Sequence, residues 1–196
     1  MASQAYRGGR VNVANRLTVT RILLTPFFVA SLVYYASERV LLYWFGIVVV
    51  VLACVSDAAD GYWATKMGQK TRLGSYIDPI ADKLLLLSGY ICLGFIRHLP
   101  EAMQVPAWLS ILVISRDIVI LLGATMIYVL TGTLNAKPLF VGKLTTVLQM
   151  MTVFVSLLML PGLFRIISCA VTGIFTVLSG LLYVRMGGQI LQENGK

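Results

Sequence analysis

Uncharged, mostly apolar runs at 22–37, 40–56, 84–96, 118–136, 144–164 and 166–184 divide the chain into six blocks with short connections between them. A helix needs about 20 consecutive apolar residues to cross the hydrocarbon layer of a membrane. The runs at 40–56, 118–136, 144–164 and 166–184 approach or reach that length alone, and the other two do so once their charged flanks are included. None alternates with the period of a strand, and in lipid only helices or closed barrels satisfy every backbone polar group. The pattern therefore predicts transmembrane helices near 17–37, 40–60, 75–97, 107–131, 140–161 and 164–185. The expected fold is all-α: a polytopic membrane protein, a six-transmembrane-helix bundle forming a single domain over 1–196. Residues 1–16 read as a basic juxtamembrane segment. Pro26 is expected to kink the first helix, because its ring removes an i→i−4 hydrogen bond. Gly187, Gly188 and the polar stretch 189–196 read as a frayed terminus.

Composition agrees with this pattern. Hydrophobic residues make up 58% of the chain and charged residues 12%, where a soluble domain carries roughly 25% charged residues. The first 16 residues lack the apolar core and small-residue cleavage site of a signal peptide, so no cleavable leader is expected. Charge then orients the bundle. With six crossings, Arg39, Arg97 and Arg165 fall on one side and Arg116 inside a helix, while every other lysine and arginine falls on the side of the two termini. By the positive-inside rule, both termini and the 57–83 segment face the cytoplasm, most naturally across a bacterial inner membrane. The formal net charge of +8 reads as attraction to anionic lipid headgroups, with no nucleic-acid partner implied. Cys54, Cys92 and Cys169 lie singly within the spans and read as small apolar packing residues. His98 stands alone in a connection and is given no chemical role.

The chemistry concentrates at 57–83, DAADGYWATKMGQKTRLGSYIDPIADK. Asp57 and Asp60 are three residues apart and Asp78 and Asp82 four apart, so each pair shares a helix face. The second and third spans form a hairpin that lets the pairs converge near the cytoplasmic surface. One aspartate at mid-membrane costs about 2.5–3.5 kcal/mol on insertion scales, and converging carboxylates repel one another. A divalent cation resolves both difficulties, and all-oxygen ligands favour Mg²⁺, Mn²⁺ or Ca²⁺ over Zn²⁺ or copper. Gly61, Ala64 and Gly74 either permit close helix packing or let a flat nucleotide reach the backbone.

This stretch resembles the signature of the CDP-alcohol phosphatidyltransferase family, D-x2-D-G-x2-A-R-x8-G-x3-D-x3-D. Asp57, Asp60, Gly61, Ala64, Gly74, Asp78 and Asp82 all stand at the required spacings, and Thr65 replaces the usual Arg, with Lys66 directly after it. The resemblance extends to Asn15-Arg16-Leu17-Thr18 with Arg21 and Pro26, to Ile114-Ser115-Arg116-Asp117, and to Gly142-Lys143 with Thr145, Thr146 and Gln149. These look like the phosphatidylglycerophosphate synthase and eukaryotic-type cardiolipin synthase branch. The resemblance implies transfer of a phosphatidyl group from CDP-diacylglycerol to an alcohol, with release of CMP. It implies two Mg²⁺ or Mn²⁺ ions on Asp57, Asp60, Asp78 and Asp82, with Asp82 also the general base. Nucleotide contacts would come from Asp57, Gly61, Ala64, Thr65, Gly74 and Asp78. The partners implied are CDP-diacylglycerol, a polar alcohol acceptor and the lipid bilayer, with a homodimer as an option.

Arg116 and Asp117 are adjacent on a mid-membrane helix, where neighbours do not face one another, so each is expected to find further partners in the bundle interior. Arg116 reads either as part of a buried ion pair that holds helices in register or as a bidentate ligand for an acceptor phosphate. Lys143 reads either as a snorkelling cation or as a second phosphate ligand. Glycerol 3-phosphate is the first choice of acceptor and phosphatidylglycerol, giving cardiolipin, the alternative. Ala124, where phosphatidylglycerophosphate synthases often carry Arg, and Asp117 in place of Glu lean toward the alternative; Gly142 and the basic first segment lean back. A membrane prenyltransferase, a divalent-cation transporter and an inactive homologue are more distant readings.

Overall fold

The computed structural model describes residues 13–35, 41–52, 72–131 and 139–194. Among them every regular element is helical: α1 (Val13–Val33), α2 (Leu41–Leu52), α3 (Arg72–Phe95), α4 (Ala107–Thr131), α5 (Phe140–Leu157) and α6 (Gly162–Asn194). Three stretches are long and apolar enough to cross a membrane: Ala107–Ile127, Phe140–Leu157 and Gly162–Gln189. The apolar parts of the other three helices, Ile22–Val33, Leu41–Leu52 and Lys83–Phe95, are shorter. Charge explains two of them, since Arg16 and Arg21 occupy the start of α1 and Asp78, Asp82 and Lys83 the first half of α3; residues 53–71, which follow the described part of α2, lie outside the described residues.

α4 begins at the expected residue, where Pro106 accepts the first backbone bonds, from Leu109 (2.9 Å) and Ser110 (3.3 Å). α5 ends at Leu157 rather than near 161, because Met159 turns the chain with φ 50° and Pro161 follows. α6 runs on to Asn194 instead of ending near 185. Each glycine at 187 and 188 costs about 1 kcal/mol against alanine in a helix, yet the next residues, Gln189–Asn194, carry helical backbone onward. The tail expected to fray is therefore helical through most of its length. Pro26 is accommodated inside α1.

α3 is central and packs against α1, α4 and α5, while α6 packs against α4 and α5. Phe28, Tyr90, Leu93 and Leu109 are fully buried where these helices meet. The turn between α3 and α4 folds back on the bundle: Met103 is fully buried, and the Val105 amide donates to the Leu93 carbonyl at 3.0 Å. Ser110 donates to the Tyr90 carbonyl at 2.9 Å, in the space that Gly94 leaves by lacking a Cβ.

The α5–α6 contact is different in kind. Thr145, Gln149, Thr152 and Ser156 are buried on α5 at spacings of four, three and four. They meet buried Thr172 and Thr176 of α6. Thr152 and Thr172 share a hydrogen bond of 2.8 Å, Gln149 donates to Thr176 at 3.3 Å, and Thr145 donates to the Phe175 carbonyl at 3.2 Å. In lipid no hydrophobic force drives one apolar helix against another, so small side chains and interhelical hydrogen bonds supply the association. Large apolar residues on the opposite faces, such as Leu121, Phe140, Ile166 and Leu181, are exposed, which suits a bilayer and would be a liability in water.

Candidate active site

The first turns of α3 carry Gly74, Asp78 and Asp82. Steps of four residues place all three on one stripe of the helix. For these three the helical backbone alone is described, and Asp57, Asp60, Gly61, Ala64 and Thr65 lie outside the described residues. Convergence of the two aspartate pairs therefore remains an expectation from spacing.

Directly after Asp82 the site gains side chains. Lys83 Nζ lies 3.3 Å from Asp117 Oδ1 on α4, and Arg116 Nη1 lies 2.6 Å from the same oxygen. Sequence neighbours thus pair after all, because the long arginine side chain folds back onto the next residue. The expected further partners are present too: Lys83 on α3, and Ser179 on α6, which accepts from Arg116 Nη2 at 2.7 Å. The guanidinium also stands 5.7 Å from the centroid of the Tyr183 ring, within cation–π range. Tyr183 in turn rests against Gly142 of α5, where a Cβ would meet its hydroxyl at 2.7 Å. Gly180 passes beside the arginine stem, a Cβ there lying 3.7 Å from Arg116 Cγ.

Arg116 and Asp117 are 9% and 5% exposed. Taking charges out of water costs several kcal/mol per ion, so a buried cluster persists only when well compensated. Among the described residues two cations face this carboxylate, buried Arg116 and the 41% exposed Lys83. Arg116 Nε has no hydrogen-bond partner among the described residues. This buried N–H is a donor that an anionic oxygen would satisfy. Lys143 is not part of the cluster: its side chain is exposed on α5. Sequence reasoning passed over Lys83, Ser179 and Tyr183. The signal for the last two was the i, i+4 step on α6, which matters only once α4 is known to lie against it.

The family model for CDP-alcohol phosphatidyltransferases matches residues 11–182. The chain belongs to that family. It is an enzyme of the phosphatidyltransferase class, and the CDP-alcohol phosphatidyltransferase match takes in α1 to α5 and most of α6. A probable phosphatidylglycerophosphate synthase of Mycobacterium tuberculosis is 30% identical over 190 residues, covering 92% of this chain and 83% of the relative. A CDP-diacylglycerol–glycerol-3-phosphate 3-phosphatidyltransferase of Bacillus subtilis is 29% identical over 200 residues, covering 93% and 98%. A putative cardiolipin synthase of Mycobacterium bovis is 31% identical over 137 residues, covering 69% and 59%. CDP-alcohol phosphatidyltransferases act with divalent metal on a CDP-linked lipid and an alcohol acceptor. The residue types fit such an ion: aspartates one helical turn apart in sequence on α3 supply the hard oxygen donors that Mg²⁺ or Mn²⁺ favours.

Proposed function

We propose that this phosphatidyltransferase is a phosphatidylglycerophosphate synthase, moving the phosphatidyl group of CDP-diacylglycerol to glycerol 3-phosphate. The observation that carries the choice is the buried Nε donor of Arg116, without a partner among the described residues, on a guanidinium tied through Asp117 to Lys83, the residue after Asp82. A phosphate monoester carries close to two negative charges, and a guanidinium with a free donor edge matches it. The end-to-end similarity to relatives named for glycerol 3-phosphate supports the same acceptor.

In this reading Asp57, Asp60, Asp78 and Asp82 hold two Mg²⁺ or Mn²⁺ ions. Bound there, the metals neutralise the pyrophosphate and the charge that develops on the attacking and leaving oxygens. Gly61, Ala64, Thr65 and Gly74 let the cytidine nucleotide lie against the chain. Arg116 holds the acceptor phosphate and so fixes the direction of its free hydroxyl, and the exposed Lys143 of α5 adds positive charge at the membrane surface. That oxygen attacks the phosphorus bearing diacylglycerol, the bond to the CMP oxygen breaks, and CMP leaves with the electron pair. Asp82 receives the hydroxyl proton.

The alternative acceptor is phosphatidylglycerol. Ala124, Asp117 and the cardiolipin synthase relative favour it, and such a site would hold one diester charge and admit a second pair of acyl tails. Purified enzyme given CDP-diacylglycerol, Mg²⁺ and each acceptor separately decides between them. CMP release is expected with glycerol 3-phosphate. Cardiolipin from phosphatidylglycerol, with no turnover of glycerol 3-phosphate, overturns the assignment.

All six helices cross the bilayer in this reading, with both termini and residues 57–83 in the cytoplasm. The apolar tails of the substrate then stay in lipid while the nucleotide and acceptor arrive from the cytosol. A cysteine introduced at Gln69 is expected to resist an impermeant thiol reagent added outside intact cells and to react after lysis. Labelling from outside would reverse the orientation.

A further inference from the structure

Asp78 and Asp82 sit in the first half of α3. At its other end, the turn that follows it and the first turns of α4 and α6 enclose a groove of about 1380 Å³. Pockets for drug-sized ligands measure roughly 300–1,000 Å³, so this one suits a larger guest. Leu112 of α4 and Ile166, Ile174 and Leu178 of α6 give it apolar walls. The Trp108 ring lies against α6 at Gly173, where a Cβ would come within 3.0 Å of it. From Ile166 to Leu178 the groove follows α6 for about 18 Å, close to the ~15 Å depth of one leaflet's hydrocarbon.

Charge gathers at one end. Arg97, Glu101 and Arg165 share the lining, and Arg97 and Glu101 are exposed. Arg165 donates to the Glu101 backbone carbonyl, and none of the three side chains forms an ion pair among the described residues. Two cations and one carboxylate leave a single positive charge above an apolar channel. Along α3 that end lies about 20 Å from Asp82. A lipid whose pyrophosphate sits at the aspartates cannot also place a phosphate there.

We propose that the groove binds a glycerophospholipid carrying one net negative charge, with its phosphodiester on Arg97 and Arg165 and an acyl chain along α6. A zwitterionic lipid would leave the positive charge uncompensated. The bound lipid belongs to the leaflet opposite the aspartates, so the inference rests on the membrane embedding proposed above.

Trp108 reports on the groove directly, through the difference in fluorescence between the protein and its Trp108→Phe variant in phosphatidylcholine vesicles. Brominated-chain phosphatidylglycerol is expected to quench this component at about fivefold lower mole fraction than brominated-chain phosphatidylcholine, the preference that one net charge confers. The Arg97→Gln/Arg165→Gln double variant is expected to lose that preference. Equal quenching by the two lipids, or a preference that survives in the double variant, overturns the proposal. Trp108 left unquenched by both, with Ala170→Cys chains cross-linking to each other, overturns it in favour of a second copy of the chain. A protein that does not incorporate into vesicles at all counts against the membrane embedding instead.

Discussion

Asp78→Asn is expected to leave turnover at background, and Asp82→Asn to lower kcat by on the order of 10²–10⁴, the usual worth of a positioned general base. Both variants should remain folded in detergent. Removing one carboxylate from a converging set relieves repulsion, so the metal-free variants should melt no lower than the metal-free parent. Mg²⁺ should raise the melting temperature of the parent by binding its folded form, and should do so far less for Asp78→Asn. Activity and metal-dependent stabilisation thus fail together while the fold survives. Full turnover by Asp78→Asn in chelated buffer would remove that residue from the metal site.

Arg116→Ala is expected to raise the KM for the acceptor by roughly 10- to 100-fold, since a hydrogen bond to a charged group contributes about 1.5–3 kcal/mol. The KM for CDP-diacylglycerol should change little, because the aspartates are untouched. Asp117 keeps Lys83 as a counter-ion 3.3 Å away, so the deletion does not strand a buried carboxylate. The split between the two constants separates the roles open to this residue. If Arg116 serves only to hold α4 against α6, both KM values and the melting temperature move together, and the phosphate-binding role is lost.

Much of the helical layout was legible in the runs of apolar residues. The starts of α4 and α5 match the expected 107 and 140, and a proline precedes each, Pro106 by one residue and Pro138 by two. The ends of α5 and α6 were misjudged. Hydropathy continues through Leu158 and Leu160, whereas a single residue with positive φ stops the helix; two glycines imitate an end that the backbone ignores. The aspartate spacing was legible because it lies within one segment. The ion cluster was not, since Lys83 and Asp117 lie on different helices and no sequence rule says which helices adjoin. The hydroxyl face of α5 went unread for the same reason, since its partners Thr172 and Thr176 lie on α6.

That pairing bears on how the enzyme comes together. An apolar helix in lipid is free to rotate and slide at little cost, since acyl chains serve its side chains as well as a neighbour does. The hydroxyl ladder between α5 and α6 acts as a vernier: turn α6 by one residue, and the Thr152–Thr172 and Gln149–Thr176 hydrogen bonds are lost. The same rotation would carry Ser179 and Tyr183 away from Arg116. If Arg116 holds the acceptor as proposed, helix register and catalytic competence are coupled through these threonines. A polypeptide with every helix in the membrane but α6 misindexed would be fully inserted and inactive.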